Sequence, residues 1–211
     1  MNGTPDNKLG THKRDAVFLD RDGTLIEDRG EIQDSSQVVF FAETIEALQL
    51  LNEHFQLFIV TNQCGVAKGL LTMEDVNRIN AHVADTIASA GVVITDVYCC
   101  PHAREDNCEC IKPKPYFLEK AAQDYHLDLE ASFVVGDHPH DVETACSVGA
   151  TGIYVLSGHG HKHKRELSYK PPIVPGIKEA ADEILRQIHA PSPAHAKKAA
   201  RHRAADEYSR I

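Results

Sequence analysis

Apolar residues in this chain occur in short continuous runs that alternate with stretches of helical periodicity. Runs such as 16–20 and 56–61 are short and end at polar residues, as is typical of strands buried on both faces. The segment 43–55 instead spaces its apolar residues for one face of a helix. The predicted strands are 16–20, 56–61, 92–99, 132–136 and 151–156, and the predicted helices are 43–55, one capped by Thr72 and ended by Gly91, 115–125, 139–148 and 176–189.

This alternation predicts an α/β fold, a Rossmann-like parallel sheet with helices on both faces. The domain is expected to span residues 15–190. Residues 1–14 are polar and are predicted to be disordered, and residues 191–211 are predicted to form a basic, Ala-rich tail. The His- and Lys-rich stretch 157–176 lacks an apolar period and is predicted to be a solvated loop. The alternative is that its segment 158–165 binds a metal ion or a substrate phosphate.

Composition and charge narrow the class of protein. The chain has 211 residues, of which 42% are hydrophobic, and a formal net charge of −9, which argues against nucleic acid as a partner. No apolar run is long enough to cross a membrane, and the N-terminus lacks the apolar core of a signal peptide. A cytoplasmic monomer without a membrane partner is therefore expected.

Carboxylates follow two of the predicted strands. Asp20 and Asp22 come directly after the first strand, and Asp137 with Asp141 follows the fourth. Ligands of parallel sheets bind at the carboxyl ends of the strands, and a cluster of carboxylates there would repel itself unless it held a hard cation such as Mg²⁺. Asp20, Asp22 and Asp137 are the predicted Mg²⁺ ligands.

The same strand ends predict phosphoryl chemistry. Asp20 is the candidate nucleophile that forms an aspartyl-phosphate, and Asp22 is the candidate general acid and base. Lys112 or Lys114 can neutralise charge in the transition state. Candidate contacts to the substrate phosphate are Arg21, Thr61, Asn62 and Gln63.

Four of the six cysteines lie between Cys99 and Cys110. Cys100, His102, Cys108 and Cys110 offer three thiolates and one imidazole, which suit a tetrahedral structural Zn²⁺ that staples a loop. The alternative is a set of thiols that bind no metal.

The motifs "DRDGT", "VTNQ", "KP" and "GDHPHD" occur in this order between residues 16 and 156. Together they resemble the haloacid dehalogenase (HAD) superfamily of phosphotransferases. With the cysteine cluster, the chain resembles the zinc-containing branch that holds heptose 1,7-bisphosphate and histidinol-phosphate phosphatases. The resemblance implies an Mg²⁺-dependent phosphomonoesterase acting on a small phosphorylated sugar. It also implies that Lys112, rather than Lys114, is the catalytic lysine.

The chain departs from this branch at four positions. Ile111 replaces a usual Arg, Tyr116 a Gly and His138 a Lys, and Glu31 stands where the heptose enzymes usually carry an aromatic residue. These departures concern substrate recognition, and Lys114, His138 and Arg104 are the nearest cations that could replace the missing Arg. Heptose 1,7-bisphosphate is the expected substrate, with histidinol phosphate or another small monoester as alternatives. A non-catalytic zinc-knuckle protein that binds nucleic acid is the alternative from another class.

Overall fold

The structure is a computed structural model that describes residues 15–190. The predictions for residues 1–14 and 191–211 lie outside the described residues. The strands are β1 (Ala16–Leu19), β2 (Gln56–Asn62), β3 (Ile94–Cys100), β4 (Phe133–Gly136), β5 (Thr151–Val155) and β6 (Ile173–Val174). The helices are α1 (Thr44–Asn52), α2 (Met73–Ser89), α3 (Tyr116–Tyr125), α4 (Pro139–Ser147), α5 (Gly160–His163) and α6 (Ile177–His189).

The six strands form one parallel sheet in the order β3-β2-β1-β4-β5-β6. The predicted α/β class and Rossmann-like sheet are confirmed. β1 lies at the centre, where it pairs with β2 on one side and with β4 on the other. The carboxyl ends of these three neighbouring strands therefore open onto the same edge of the sheet, where ligands bind in such folds.

Side chains alternate between the two faces of the central strand. Val17 and Leu19 belong to the core beneath α1, α2 and α6, whereas Ala16 and Phe18 belong to the core beneath α3 and α4. All four side chains are fully buried, which explains why the strand reads as a continuous apolar run. The two cores fix the direction of β1 and hence the position of the turn that follows it.

The predicted cap of the second helix is present. The Thr72 hydroxyl accepts a hydrogen bond from the Asp75 N–H, and the Asp75 carboxylate accepts one from the Thr72 N–H. This reciprocal pair satisfies two backbone donors that the first turn of α2 would leave free. Thr72 thereby fixes the start of the helix that carries Asn80 toward the sheet edge.

The prediction of a loop over residues 157–176 is wrong in part. The stretch contains α5, a 3-10 turn at Lys164–Glu166 and the two-residue strand β6, which extends the sheet beyond β5. Elements this short have no periodicity that a sequence can reveal. Among residues 15–190, no helix combines the length and apolar character needed to span a membrane.

Candidate active site

The turn after β1 places Asp20 at the centre of the sheet edge. The Asp20 N–H donates to the Val135 carbonyl of β4 at 2.9 Å, so the strand pairing continues to this residue. Gly23 then takes φ +83°, a left-handed conformation that other residues rarely adopt. A Cβ atom at Gly23 would also collide with the carboxylate of Asp137. Glycine is therefore required here both for the turn and for the close approach of Asp137.

Three carboxylates meet at this edge. Each of Asp20, Asp137 and Asp141 offers an oxygen atom within 4.8 Å of the others, and their residues are only 9%, 4% and 1% exposed. The Lys112 Nζ atom lies 2.6 Å from Asp20 Oδ1 and 2.6 Å from Asp141 Oδ1. One ammonium thus faces three buried carboxylates, which leaves two negative charges without a partner when all are ionised.

Burial and mutual repulsion act on the protonation of this cluster. Burial raises the pKa of Asp20 well above its usual value, and Lys112 offsets only part of that effect. Burial, with repulsion from Asp141, raises the pKa of Asp137 to about 7. The charges of Asp141 and Asp20 outweigh the burial of Lys112 and raise its pKa. The lysine therefore stays charged, while Asp20 and Asp137 resist ionisation.

The cluster fits a divalent cation. Two uncompensated negative charges on buried carboxylate oxygens match the charge and the ligand preference of Mg²⁺. One Asp137 oxygen also accepts a hydrogen bond of 2.6 Å from the His159 N–H, which fixes the direction of that carboxylate. Asp20, Asp137 and Asp141 are accordingly the side chains that would hold the ion.

The Asp22 carboxylate belongs to a different set of contacts. Two Arg21 nitrogens donate to its two oxygens at 3.0 and 3.1 Å, and Gln63 Nε2 donates to Oδ2 at 2.8 Å. The Thr61 hydroxyl lies 3.5 Å from the same oxygen. The role of Asp22 as an Mg²⁺ ligand stays a prediction, while its side chain is held and charge-compensated as a distinct group beside Asp20.

Arg21 is buried rather than presented to a ligand. Its residue is 2% exposed, and Nη1 donates to Asn80 Oδ1 on α2 at 2.6 Å. With its other nitrogens on Asp22, the guanidinium has little left for a phosphate. The structure does not support the predicted contact between Arg21 and substrate, because the side chain is turned inward; it supports a role in orienting Asp22.

A cavity of 240 Å³ opens over these groups. Its lining comprises Asp20, Asp22, Asp28, Thr61, Asn62, Cys64, Arg104, Lys112, Asp137, His138, His140, Asp141 and His159. A second cavity of 270 Å³ adjoins it and shares Asp22, Asp28 and Asn62 with it. Gln63 and Glu31 line the second cavity but not the first.

The predicted zinc ligands converge at the carboxyl end of β3. Cys100, Cys108 and Cys110 place their sulfur atoms 3.3 to 3.7 Å apart, and His102 Nδ1 lies 3.3 Å from Cys110 and 3.7 Å from Cys100. Ligands around a tetrahedral zinc with Zn–S bonds of about 2.3 Å are separated by roughly 3.5 to 3.8 Å. The four groups therefore fit a closed site without an open position. Cys99 is not among them and lines a separate cavity beside α2.

The cysteine loop continues directly into Lys112, two residues after Cys110. The Lys112 N–H donates to Asn62 Oδ1 at 3.3 Å, and Nζ donates to the Val60 carbonyl at 2.8 Å. Lys114 is not available to a substrate in the same way, because its Nζ donates to the Cys108 carbonyl at 2.7 Å. This division agrees with Lys112 as the active lysine and gives Lys114 the task of bracing the loop.

Of the cations considered as substitutes for an arginine at position 111, Arg104 and His138 line the cavity. Arg104 is exposed, and its Nη2 lies 3.1 Å from His140 Nδ1. Ile111 itself is 5% exposed and packs inside the protein. A side chain at position 111 would thus have to leave the interior before it could reach a ligand.

Sequence reasoning missed several residues of the site. Asp141 was placed near the cluster but not among the metal ligands, and its position four residues after Asp137, in the first turn of α4, was the available signal. Asp28 was not considered, and His159 was interpreted as part of a solvated loop, although both line the cavity and His159 Nδ1 lies 3.1 Å from Asp28 Oδ2. No sequence signal indicated Asn80, since its contact with Arg21 depends on how α2 packs.

Comparison with known proteins agrees with this geometry. The family model described as HAD-hyrolase-like matches residues 109–180. The chain is 34% identical over 182 residues to the D-glycero-beta-D-manno-heptose-1,7-bisphosphate 7-phosphatase of Pasteurella multocida, an alignment that covers 82% of this chain and 92% of that protein. It is 31% identical to the enzyme of the same name from Escherichia coli K12, with 82% and 89% covered.

A solved structure is similar throughout its length. The crystal structure of D,D-heptose 1.7-bisphosphate phosphatase from B. bronchiseptica, complexed with magnesium and phosphate, superposes with a TM-score of 0.76 at 25% identity. The superposition covers 82% of this chain and 99% of that one. The fold and site therefore define a HAD-like phosphatase, a phosphoric monoester hydrolase. Within that class, the chain belongs to the family of the heptose-bisphosphate phosphatases.

Proposed function

We propose that this protein is an Mg²⁺-dependent phosphomonoesterase that removes the 7-phosphate of D-glycero-D-manno-heptose 1,7-bisphosphate through an aspartyl-phosphate on Asp20. The observation that carries the proposal is the contact between Lys112 and Asp20 inside a buried group of three carboxylates. The choice of substrate is supported by the two named relatives, because each aligns with this chain over almost its whole length.

Asp20 is the nucleophile. Its carboxylate lies at the end of the central strand and on the wall of the cavity, where one oxygen can be bonded to Lys112 while the other faces a phosphorus atom. Lys112 keeps Asp20 ionised in the loaded site and lies close enough to stabilise negative charge on the transferred phosphoryl group. Thr61 and Asn62 line the same cavity and offer donors for phosphate oxygens.

Asp22 is the general acid and base. Its carboxylate lines the cavity, and the Arg21 and Gln63 side chains hold it from behind. It protonates the leaving sugar oxygen in the first step and takes a proton from water in the second. Arg21, fixed in turn by Asn80, keeps this carboxylate in one orientation, which is a positioning role rather than a catalytic one.

Two metals complete the proposal. Asp20, Asp137 and Asp141, with a contribution from Asp22, would hold Mg²⁺, whose charge would attract the substrate phosphate and favour ionisation of the carboxylates. Zn²⁺ bound at Cys100, His102, Cys108 and Cys110 stiffens the loop that presents Lys112. Neither the chemistry of Asp20 nor that of Asp22 passes through the zinc site.

The second phosphate of the substrate is assigned to the rim beside Arg104 and His140. This pair is a cation and an imidazole at the wall of the catalytic cavity. A guanidinium can hold a phosphate through two parallel hydrogen bonds. The arrangement would compensate for Ile111, which offers no charge.

A panel of phosphomonoesters tests the function. Purified protein with Mg²⁺ is scored for phosphate release from heptose 1,7-bisphosphate, histidinol phosphate, a sugar monophosphate and an aryl phosphate. The highest kcat/KM is expected for the heptose bisphosphate, with the 7-phosphate released. Preference for histidinol phosphate would refute the substrate, and lack of phosphate release from every ester with Mg²⁺ present would refute the activity.

A further inference from the structure

A third group of side chains that can bind metal is separate from the carboxylate cluster and from the cysteine cluster. His138 precedes α4, His163 ends α5 and Glu166 ends the following 3-10 turn. Each offers one ligand atom within 4.8 Å of the other two. We propose that His138, His163 and Glu166 bind a transition-metal ion of the Zn²⁺ or Ni²⁺ class.

The donor set selects the kind of ion. Two imidazole nitrogens and one carboxylate oxygen suit zinc, nickel and cobalt, whereas Mg²⁺ prefers oxygen ligands alone. Two imidazoles with one glutamate are also a ligand set that zinc uses when a fourth position stays open to water. The site therefore prefers a different metal ion from the carboxylate cluster. Unlike the cysteine cluster, it leaves a coordination position open to water, and it shares no side chain with either cluster.

The ligands are held close to a binding arrangement by contacts within the protein. His163 Nδ1 and Glu166 Oε1 are 2.8 Å apart. Neighbouring ligands on an ion with bonds of about 2.1 Å are separated by roughly 3.0 Å in octahedral and 3.4 Å in tetrahedral geometry, so the two atoms need to move apart only slightly to bind one. Their spacing of three residues puts both on one face of a helical turn. A metal would replace the proton that now joins them.

His138 reaches the pair from another element. Its N–H donates to Asp141 Oδ2 at 3.0 Å, which fixes the backbone at the start of α4. Its ring stacks with that of His140, with centroids 4.3 Å apart, and lies against that of His163, with centroids 4.7 Å apart. These contacts restrict the imidazole, so less conformational freedom remains to be lost on binding.

The site is open to solvent and borders the catalytic cavity. The His163 and Glu166 side chains are 18% and 59% exposed, which gives an ion a path of entry. His138 lines the cavity that contains Asp20. A bound cation would therefore add positive charge to the cavity wall on the side of α4.

The test counts metal equivalents in the full-length chain, without a polyhistidine tag. The protein is loaded with zinc at the cysteine cluster, freed of excess metal and kept in saturating Mg²⁺, and Zn²⁺ is then titrated by calorimetry. The wild type is expected to bind an additional equivalent that Glu166→Gln and His163→Ala lose. His161→Ala is the matched control, because His161 is a neighbouring exposed histidine outside the group, and it is expected to retain that equivalent.

Two results would overturn the site. One is an equal number of bound equivalents in the wild type, Glu166→Gln and His163→Ala. The other is loss of the equivalent in His161→Ala as well, which would mean that the histidines bind metal without a defined site. Glu166→Gln changes an exposed side chain without changing its size, so thermal unfolding can verify that its fold is intact. Histidine side-chain NMR should show metal-dependent shifts for His138 and His163 in the wild type.

Discussion

The carboxylate cluster and the cysteine cluster both lie at the carboxyl edge of the parallel sheet, but they differ in which parts of the chain form them. Asp20 follows β1, whereas Asp137 follows β4 and Asp141 lies in the first turn of α4, more than a hundred residues later in the chain. All three are buried, and their charges are only partly compensated. The cysteine cluster is assembled within the single stretch 100–110 and lies closer to the surface. The carboxylate cluster provides uncompensated negative charge for metal binding and catalysis, whereas the cysteine cluster fixes the conformation of a loop.

The largest expected loss of activity comes from changes to the aspartates that follow β1. Asp20→Asn removes the nucleophile and should lower phosphate release by about 10⁴-fold or more, while the fold survives because the amide has the same shape. Asp22→Asn should still form some phosphoenzyme from aryl phosphates, since a good leaving group needs less acid catalysis. Steady-state and single-turnover assays measure both. Near-native turnover by Asp20→Asn would mean that another group attacks phosphorus.

The cysteine loop should act on the chemical step through Lys112. Cys110→Ser is expected to reduce zinc content and to lower kcat by roughly 10²-fold, because the lysine loses its fixed position. Cys99→Ser is the matched control, since Cys99 adjoins Cys100 but lies outside the cluster, and it should keep both zinc and activity. Metal analysis and steady-state kinetics on both variants show whether loss of zinc and loss of activity occur together. Full activity in a zinc-free protein would show that the loop needs no metal to hold Lys112.

Arg104 tests whether the loop contributes more than shape. The residue belongs to the cysteine loop, yet it lines the cavity of the carboxylate cluster. Arg104→Ala should lower kcat/KM for heptose 1,7-bisphosphate by about tenfold, the value of one charge-assisted contact, and should leave an aryl monoester nearly unaffected. Arg104→Lys should recover part of the loss. An equal loss on both substrates would place the effect in the loop rather than in the second phosphate.

The uncompensated charge of the carboxylate cluster should also make the free energy of unfolding of the metal-free protein depend on pH. Because the folded pKa of Asp137 is raised from 3.8 to about 7, the folded state holds this proton more tightly than the unfolded state. This stabilisation is complete below pH 3.8 and is lost as the pH rises to about 7, by on the order of 4 kcal/mol for the full shift. Denaturant unfolding in chelator should show this slope, and Asp137→Asn should flatten it.

Magnesium should reverse that trend. Its binding requires ionised carboxylates, so the stabilisation by Mg²⁺ should grow between pH 5 and pH 8. Cys99→Ser is the control, because Cys99 lies outside both clusters, and this variant should show the same pH slope as the wild type. Stabilisation by Mg²⁺ that is independent of pH would contradict the assignment of the buried carboxylates as its ligands.

The contrast between the clusters also explains what the sequence could predict. The spacing of Cys100, Cys108 and Cys110 was visible because local residues form the site. Asp20 and Asp137 were found because the strand ends of a parallel sheet coincide. The burial of Arg21 was not predictable, since it depends on the packing of α2 and on Asn80. β6 was missed because two residues carry no period, and its pairing depends on β5 being in place.

The position of β1 has a consequence for how the enzyme is made. Its partner β2 follows within forty residues, but its other partner β4 begins at Phe133, and the backbone that holds Asp137 comes from His159. A ribosome must therefore deliver about two thirds of the chain before β1 can pair on both sides, and about three quarters before His159 can hold Asp137. Contacts of such long range tend to form slowly, so a nascent chain can hold Asp20 and Asp22 for most of its synthesis without being able to hydrolyse a phosphate ester.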